Sequence, residues 1–384
     1  MNRFRGLALA IGLALIPTFL IWLPLFLRME YVWGIPLPQE GLTTIVSNYD
    51  GPLYIVVAKS LYNPEIIKTM FSFDLPTEYY AAHFPLFPLL IRLGGFVTTH
   101  PYAMLAITLL SSILALWYFY KLISEYVEPQ QAVWLTSMFS VFPARWLIVR
   151  SVGSPEPLFV AAIIASIFYF QKSRFWLAAF WGVIAQLTKS PGVLLFIAYG
   201  GYIASVEFNR LENTRFNSWV KSIKFKPYPV LLIPLSLLSV FVLYKYTMND
   251  FLAYFHSGDN IHLLFPPFQI FNYQASWVNT HWLEEIIFIY LISFYGLVKL
   301  VLDKKQVMAW FVGVFFVSLL FVSHRDILRY SLPIIPFLYV AYRDLLSKTE
   351  FKWAFALIIV PIYLFSLAFI SRNIMPISNW SSLL

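Results

Sequence analysis

The chain has no cysteine and little charge. Asp, Glu, Lys and Arg make up 12% of its 384 residues, against roughly 25% in a typical soluble domain. Without cysteine, a disulfide framework, a thiolate metal site and a cysteine nucleophile are all excluded. The HExxH, Walker and GxSxG motifs are also missing, so the common zinc-protease, ATP-driven and serine-hydrolase classes fall away.

What the chain does have is apolar and aromatic residues. Hydrophobic positions make up 60% of the sequence and aromatic positions 19%. Apolar runs of about 20 residues are long enough to cross a bilayer, so the sequence predicts an all-α polytopic membrane protein with about eleven transmembrane helices. The predicted spans begin near Leu7, Tyr102, Ala132, Pro157, Phe175, Gly192, Pro229, Glu285, Val307, Leu332 and Trp353. The shorter run over residues 84–97 is expected to be an interfacial or re-entrant helix.

The distribution of basic residues predicts the orientation. The net charge is +8, and Lys and Arg concentrate at the N-terminus and in alternate connections, which the positive-inside rule assigns to the cytoplasm. The charge distribution predicts a cytoplasmic N-terminus. The first apolar run, from Leu7 to Leu27, is about 20 residues long and lacks an A-x-A-type cleavage site, which predicts a retained first helix. The expected location is the cell membrane of a prokaryote, with the active site on the outer face. The charge indicates topology and contact with membrane lipids, not nucleic acid. All the histidines are then expected on the outer side: His83, His100, His256, His262, His281 and His324.

The organisation is predicted to be a single membrane domain over residues 1–384. No internal repeat or Gly/Ser-rich linker divides the chain. Two connections, residues 28–85 and 248–284, are long enough to be functional outer loops. The outer histidines and acids show no metal-ligand spacing, so no metal or cofactor is predicted.

The first outer loop contains the turn NYDGP at residues 48–52, followed by a predicted short amphipathic helix over residues 54–62. Asp favours local side-chain bonds, Gly permits a positive φ, and Pro fixes its own φ. Asp50 is a candidate catalytic acid or base, with Tyr49 and Tyr54 beside it. The alternative is that Asp50 only starts the turn or caps the helix.

Other candidate residues lie in tracts that are also predicted to face outward. His83 precedes a proline-rich re-entry into the membrane, where the prolines alone account for the pattern in the alternative view. Arg150 and Glu156 flank a turn at an outer mouth, and they either form part of a site or an ion pair that ties two helices.

Two further tracts carry positive charge. Lys189 lies in a tight turn and either presents its ammonium group to a ligand or snorkels to the interface. Arg329 and Tyr330 precede the tenth predicted span. Arg329 is suited to binding phosphate, and the alternative is a local pair of Arg325 or Arg329 with Asp326.

Taken in order, these tracts resemble the PIG-V-type mannosyltransferases of the membrane-embedded GT-C class. The tracts that carry the resemblance are YDGPLYIVVAKSLY, HFPLFPLLIRL, VFPARWLIVRSVGSPEPLFV, LTKSPGVLL and RYSLPIIPFLYVAY. Departures from the family pattern are His83 in place of a Phe, SPEP over residues 154–157 in place of Tyr-Thr-Glu-Ser, and Lys189 in place of an Arg.

The resemblance implies a GT-C architecture and an inverting transfer of a hexose, with mannose expected. The donor would be a polyprenyl-phosphate sugar and the acceptor a hydroxyl of a lipid-linked or surface glycan. By resemblance, Asp50 is the general base. Lys189, Arg329 and His83 are the residues expected to hold the donor phosphate. Residues expected at the sugar or acceptor are Tyr49, Tyr54, Glu156, Arg150 and Tyr330.

Two other classes are compatible with a chain of this kind. A transporter or flippase of lipid-linked sugars also has many spans and aromatic grooves, but such proteins usually show broken helices with midplane charges or repeated halves. A non-catalytic subunit of a glycan synthase is the second alternative. An enzyme requires Asp50, Lys189 and Arg329 to converge on one outward site.

Overall fold

The computed structural model describes residues 3–212, 226–272, 274 and 283–384. Within these ranges the protein is nearly all α-helical, which confirms the predicted all-α fold class. Two short strands in the described part, β1 (Tyr31–Val32) and β2 (Ile35–Pro36), pair antiparallel in the first long loop. His281 and most of the end of the second long loop lie outside the described residues.

The helices follow one another with short connections. In chain order the α-helices are α1 (Arg3–Phe26), α2 (Thr43–Val46), α3 (Gly51–Ser60), α4 (Pro64–Met70), α5 (Leu86–Gly94), α6 (His100–Ile123), α7 (Pro129–Val141), α8 (Ala144–Ser151), α9 (Glu156–Gln171), α10 (Phe175–Thr188), α11 (Val193–Glu212), α12 (Leu232–Met248), α13 (Leu283–Leu302), α14 (Gln306–Leu320), α15 (Ile327–Ser331), α16 (Ile335–Ala341), α17 (Arg343–Leu346) and α18 (Thr349–Arg372). Short 3₁₀ helices lie at Thr77–Ala82, Ser190–Gly192, Tyr228–Leu231, Gly258–Asn260, Gln269–Phe271 and Leu332–Ile334.

Every predicted span begins within an apolar helix of the structure, but the helices differ in length. Among the described residues, six are long and apolar enough to cross a membrane, and α7 with α8 makes a seventh if this pair, bent by 68°, is one span. The other predicted spans correspond to shorter helices. Helix α9, for example, has 16 residues, or about 24 Å, against a hydrocarbon thickness of about 30 Å.

Helix α9 lies at the centre of the fold, packed between α6 and α10. Its side chains are buried on all sides from Glu156 to Phe168, as expected for a helix that is apolar around its whole circumference. The Ser166 hydroxyl contacts the Tyr199 hydroxyl at 2.6 Å and donates to the Ala178 carbonyl oxygen at 2.7 Å. These polar contacts join α9 to α10 and α11.

The first long loop is built into the protein. Helix α3 is buried over nearly its whole length, so the predicted amphipathic surface helix is instead enclosed by other elements, among them α5 and α6. Helix α5 has nine residues, or about 14 Å, too short to span the bilayer. The run over residues 84–97 therefore does not add a span, as predicted.

Gly51 is needed because two loops approach each other there. A Cβ atom at position 51 would lie 2.8 Å from the Val46 carbonyl oxygen and 3.2 Å from the Gly153 carbonyl oxygen. Both atoms belong to the backbone, so relieving the contact requires a loop to move.

We expect Gly51→Ala to lower the free energy of unfolding by about 1–3 kcal/mol, the usual cost of overpacking. The measurement is thermal unfolding of the purified protein in detergent. Gly200→Ala is the matched control, because a Cβ atom there meets nothing within 4 Å and helix propensity improves. Equal melting temperatures for Gly51→Ala and the wild type would contradict the close approach.

Candidate active site

Glu156, the first residue of α9, forms the centre of a charged cluster. Its side chain is buried, and its Oε1 atom accepts hydrogen bonds from Lys189 Nζ at 2.6 Å and from Arg329 Nε at 2.7 Å. The Ser154 hydroxyl donates to the other carboxylate oxygen. A buried carboxylate is stable only when it is paired and hydrogen-bonded in this way. Three residues predicted from separate tracts are thus in direct contact.

Arg329 extends the cluster to Asp50. Its Nη2 atom lies 3.8 Å from Asp50 Oδ2, and its guanidinium lies over the Tyr49 ring, 4.2 Å from the centroid. Asp50 precedes α3 but its side chain makes no capping hydrogen bond, and that side chain is 39% exposed. The carboxylate is therefore accessible and faces a cation. A residue that only caps a helix would instead accept a hydrogen bond from a backbone N–H group of that helix.

The turn that presents Asp50 is fixed to the end of the last long helix. Asn48 Nδ2 donates to the Ile370 carbonyl oxygen at 2.7 Å, and Asn48 Oδ1 accepts from Asn373 Nδ2 at 3.1 Å. Tyr49 then adopts a left-handed φ of 49°, which is uncommon outside glycine. Asn48 was not singled out in the sequence, where its only signal is that Asn favours turns.

His83 and Tyr54 pack together in the same loop region. Their rings meet edge to face with centroids 4.7 Å apart, and both side chains are buried. Burial lowers the pKa of His83 and raises the pKa of Tyr54. His83 is therefore neutral at pH 7 and offers a hydrogen bond and not a positive charge. Its Nδ1 atom has no hydrogen-bond partner among the described residues.

Arg150 lies apart from the cluster. It is 1% exposed, and it donates to the carbonyl oxygens of Leu13 at 3.0 Å and Ala14 at 3.4 Å. The alternative view of an ion pair between Arg150 and Glu156 is not what the structure shows, because Glu156 binds Lys189 and Arg329. Arg150 instead joins α8 to the backbone of α1.

Asp326 and Arg145 form a second ion pair that the sequence does not reveal. Arg145 Nε lies 2.9 Å from Asp326 Oδ1, although the N–H bond is not aligned for a hydrogen bond. Asp326 therefore pairs with Arg145 and not with Arg329. The two residues are far apart in the chain, and no spacing pattern connects them.

Tyr330 faces a pair of histidines. Its ring centroid lies 5.3 Å from that of His324 and 5.9 Å from that of His262, and the two imidazoles are 4.3 Å apart. Among the described residues, no group of three or more His, Asp or Glu side chains is placed to hold a metal ion.

A groove with a volume of about 480 Å³ lies between α1, α7 and α18. Its walls are almost entirely apolar and include Leu13, Leu20, Trp134, Phe355 and Tyr363, with Lys352 also part of the lining. From Tyr363, α18 continues for about 9 Å to Phe369, whose ring lies 4.0 Å from the Arg145 guanidinium carbon. Helix α18 thus connects this groove with the charged cluster.

Comparison with known proteins finds matches among solved structures only. No protein-family model matches the chain, and no curated protein sequence matches it. A solved structure of the Archaeoglobus fulgidus oligosaccharyltransferase, in a complex with zinc and sulfate, is 14% identical with a TM-score of 0.49. The match covers 96% of this chain and 54% of that protein, so the chain spans about half the length of its neighbour.

We expect Arg329→Gln to destabilise the protein by about 3 kcal/mol or more, because removing one partner of a buried ion pair leaves a poorly compensated charge. Glu156 would retain only Lys189 as its cation. The measurement is thermal or denaturant unfolding in detergent, with the exposed neighbour Arg325→Gln as the control. A second variant, Glu156→Gln with Arg329→Gln, should recover part of the loss. If Arg329→Gln and Arg325→Gln lowered the free energy of unfolding equally, the proposed role of Arg329 in neutralising the buried Glu156 carboxylate would be contradicted.

The lowered pKa of His324 predicts that stability depends on pH. Burial, with the charges of His262 and Arg329, lowers the pKa of His324 to about 4, whereas an unfolded histidine titrates near 6.5. Between these values the unfolded chain binds a proton that the folded protein does not, so stability falls as pH falls from about 6.5 to 4. We expect His324→Asn to flatten this decline in melting temperature measured across that range. An unchanged slope would show that other groups control the acid response.

Proposed function

We propose that the protein is an inverting glycosyltransferase of the GT-C class. In this proposal it moves a hexose, mannose by family resemblance, from a polyprenyl-phosphate donor to a hydroxyl of a lipid-linked or surface acceptor on the outer face of the membrane. The observation that carries the proposal is the accessible Asp50 carboxylate, which lies beside Arg329 while Arg329 and Lys189 are both held on the buried Glu156.

Asp50 has the properties of a general base in such a transfer. As the acceptor oxygen bonds to the anomeric carbon, its proton passes to the Asp50 carboxylate, and the bond from the anomeric carbon to the phosphate oxygen breaks. The sugar configuration inverts because attack and departure occur on opposite faces. The polyprenyl phosphate leaves as an anion, so a carboxylic general acid is not required.

Arg329 and Lys189 are the proposed phosphate ligands. The side chain of Lys189 is 23% exposed and that of Arg329 is 14% exposed, whereas the Glu156 side chain beneath them is 3% exposed. The cations therefore face the accessible side of the cluster and Glu156 holds them from below. His83 would donate a hydrogen bond as a neutral imidazole. Tyr49, Tyr54 and Tyr330 would contact the sugar or acceptor.

The apolar groove along α1, α7 and α18 is the proposed place for the prenyl chain. Its walls suit a hydrocarbon, and α18 leads from it toward Phe369 and Arg145. Burial of each prenyl methylene would contribute about 0.8 kcal/mol. The predicted orientation places the charged cluster at the outer end of this path.

The test is sugar transfer by the protein reconstituted in vesicles with radiolabelled polyprenyl-phosphate mannose and a native lipid extract. We expect Asp50→Asn to lose at least about 100-fold in rate, since the amide cannot accept the proton. Asp74→Asn is the matched control, because Asp74 is an exposed acid of the same loop and should keep wild-type activity. Both variants are checked for an unchanged melting temperature.

Equal transfer by wild type and Asp50→Asn would overturn the catalytic role of Asp50. Absence of transfer by the wild type, together with movement of a fluorescent lipid-linked sugar between leaflets, would favour the transporter. Absence of both activities until a partner subunit is added would favour a non-catalytic subunit.

A further inference from the structure

We propose that Arg145 and Asp326 are positioning residues that clamp Tyr49 and, through its ring, aim Arg329 at Asp50. This inference rests on the proposed function, because it concerns the base and the phosphate ligand named there. Neither Arg145 nor Asp326 belongs to the predicted site. Their role follows from a continuous set of contacts that ends at the proposed catalytic carboxylate.

Arg145 is held rigidly at the start of α8. Its guanidinium carbon lies 4.0 Å from the centre of the Phe369 ring, and its Nε lies 2.9 Å from Asp326 Oδ1. The side chain is 12% exposed, and that of Asp326 is 10% exposed. A planar guanidinium between an aromatic face and a carboxylate has little freedom to rotate.

The clamp acts on the Tyr49 hydroxyl. Arg145 Nη1 donates to this oxygen at 3.3 Å, and the hydroxyl donates to Asp326 Oδ2 at 3.3 Å. The Tyr49 ring also contacts the Phe369 ring, with centroids 5.7 Å apart. Tyr49 is therefore fixed at its hydroxyl by two charged groups and along its ring by Phe369.

The fixed ring in turn limits Arg329. Arg329 lies over the Tyr49 ring at 4.2 Å, with Nε on Glu156 and Nη2 directed toward Asp50. The Nε contact alone leaves the guanidinium free to turn about the Glu156 oxygen. The ring beneath it removes that freedom and keeps Nη2 beside the carboxylate.

Arg145 and Asp326 carry opposite charges, so the pair adds little net field to the cluster. Its contribution is geometric. Lysine cannot replace Arg145 in this role, because one ammonium group does not reproduce a fork that contacts the carboxylate and the hydroxyl with separate nitrogens.

The absence of cysteine from the chain allows a test that does not depend on sugar transfer. Asp50→Cys places a single thiol beside Arg329, where a nearby guanidinium lowers its pKa below the usual value of about 8.5. The pKa is read from the pH dependence of the rate of reaction with a methanethiosulfonate reagent. Arg329→Gln in the same background should raise the pKa toward that value and is the positive control.

We expect Arg145→Gln in the Asp50→Cys background to raise the thiol pKa as well, with no recovery in Arg145→Lys. Tyr49→Phe removes the hydroxyl but keeps the ring and the Arg145–Asp326 ion pair. It should raise the thiol pKa as well. It replaces Arg145→Gln in the test if that variant does not fold. The thiol pKa of the double variant Tyr49→Phe with Arg145→Gln should equal that of Arg145→Gln alone, because both changes remove the same contact. Arg325→Gln, an exposed arginine nearby, should leave the thiol unchanged.

A thiol pKa that rises with Arg329→Gln but not with Arg145→Gln or Tyr49→Phe would overturn the inference. A thiol that does not respond to Arg329→Gln would overturn it too, because the contacts would not reach position 50. In the transfer assay, Tyr49→Phe should lower kcat by about 10-fold, the effect of a small misplacement. Absence of sugar transfer by the wild type would refute the proposed function. The thiol measurements do not depend on transfer, so they test the positioning of Arg329 by Arg145, Asp326 and Tyr49 separately.

Discussion

One carboxylate oxygen, Oε1 of Glu156, holds the candidate site together. It accepts hydrogen bonds from Lys189 and Arg329, and so it joins the start of α9, the turn after α10 and the start of α15. Ionisable groups among apolar helices are costly unless they are paired. Each of the three groups therefore needs the others, and the ends of three helices are fixed relative to one another.

The lengths of the helices agree with this constraint. Helices α9 and α10, which begin or end at the cluster, are among those too short to cross a full bilayer. Helices α1, α6 and α18 are long and apolar enough to cross it. Helix α6 meets the turn before α9 at Thr108, whose hydroxyl donates to the Ser154 carbonyl oxygen at 3.1 Å. From that level α6 extends about 12 Å further to its first residue, His100. The Glu156 side chain beside this turn is 3% exposed, and partly desolvated charges interact more strongly.

The sequence was sufficient to predict the apolar helices and the main residues of the cluster. Asp50, Glu156, Lys189 and Arg329 lie in tracts that hydrophobic runs separate, and each tract contains an ionisable group that an apolar environment must either pair or use. The particular partners were not predictable. Arg329 has Asp326 three residues before it, yet Asp326 is paired with Arg145 and Arg329 is paired with Glu156.

Other features depend on contacts between distant parts of the chain. Side-chain spacing predicts only which residues are neighbours on one helix or strand. It therefore does not predict the hydrogen bonds between Asn48 and the end of α18, or the ion pair of Arg145 with Asp326. The burial of α3 was missed for a related reason. Its residues do not show whether the surface around them is lipid, water or protein, and only the packing of α5 and α6 decides that.

The balance of charge in the cluster suggests how its parts would act together in the proposed reaction. The cations Lys189, Arg329 and Arg145 face the anions Glu156, Asp50 and Asp326, so the resting site holds little unpaired charge. When Asp50 accepts the acceptor proton it becomes neutral, and Arg329 loses the anion that its Nη2 atom faces. The positive charge of Arg329 is then less compensated, and it would stabilise more strongly the negative charge that grows on the departing phosphate. In the proposed reaction, proton transfer and stabilisation of the leaving group would thereby be linked through one guanidinium, so its orientation would affect both.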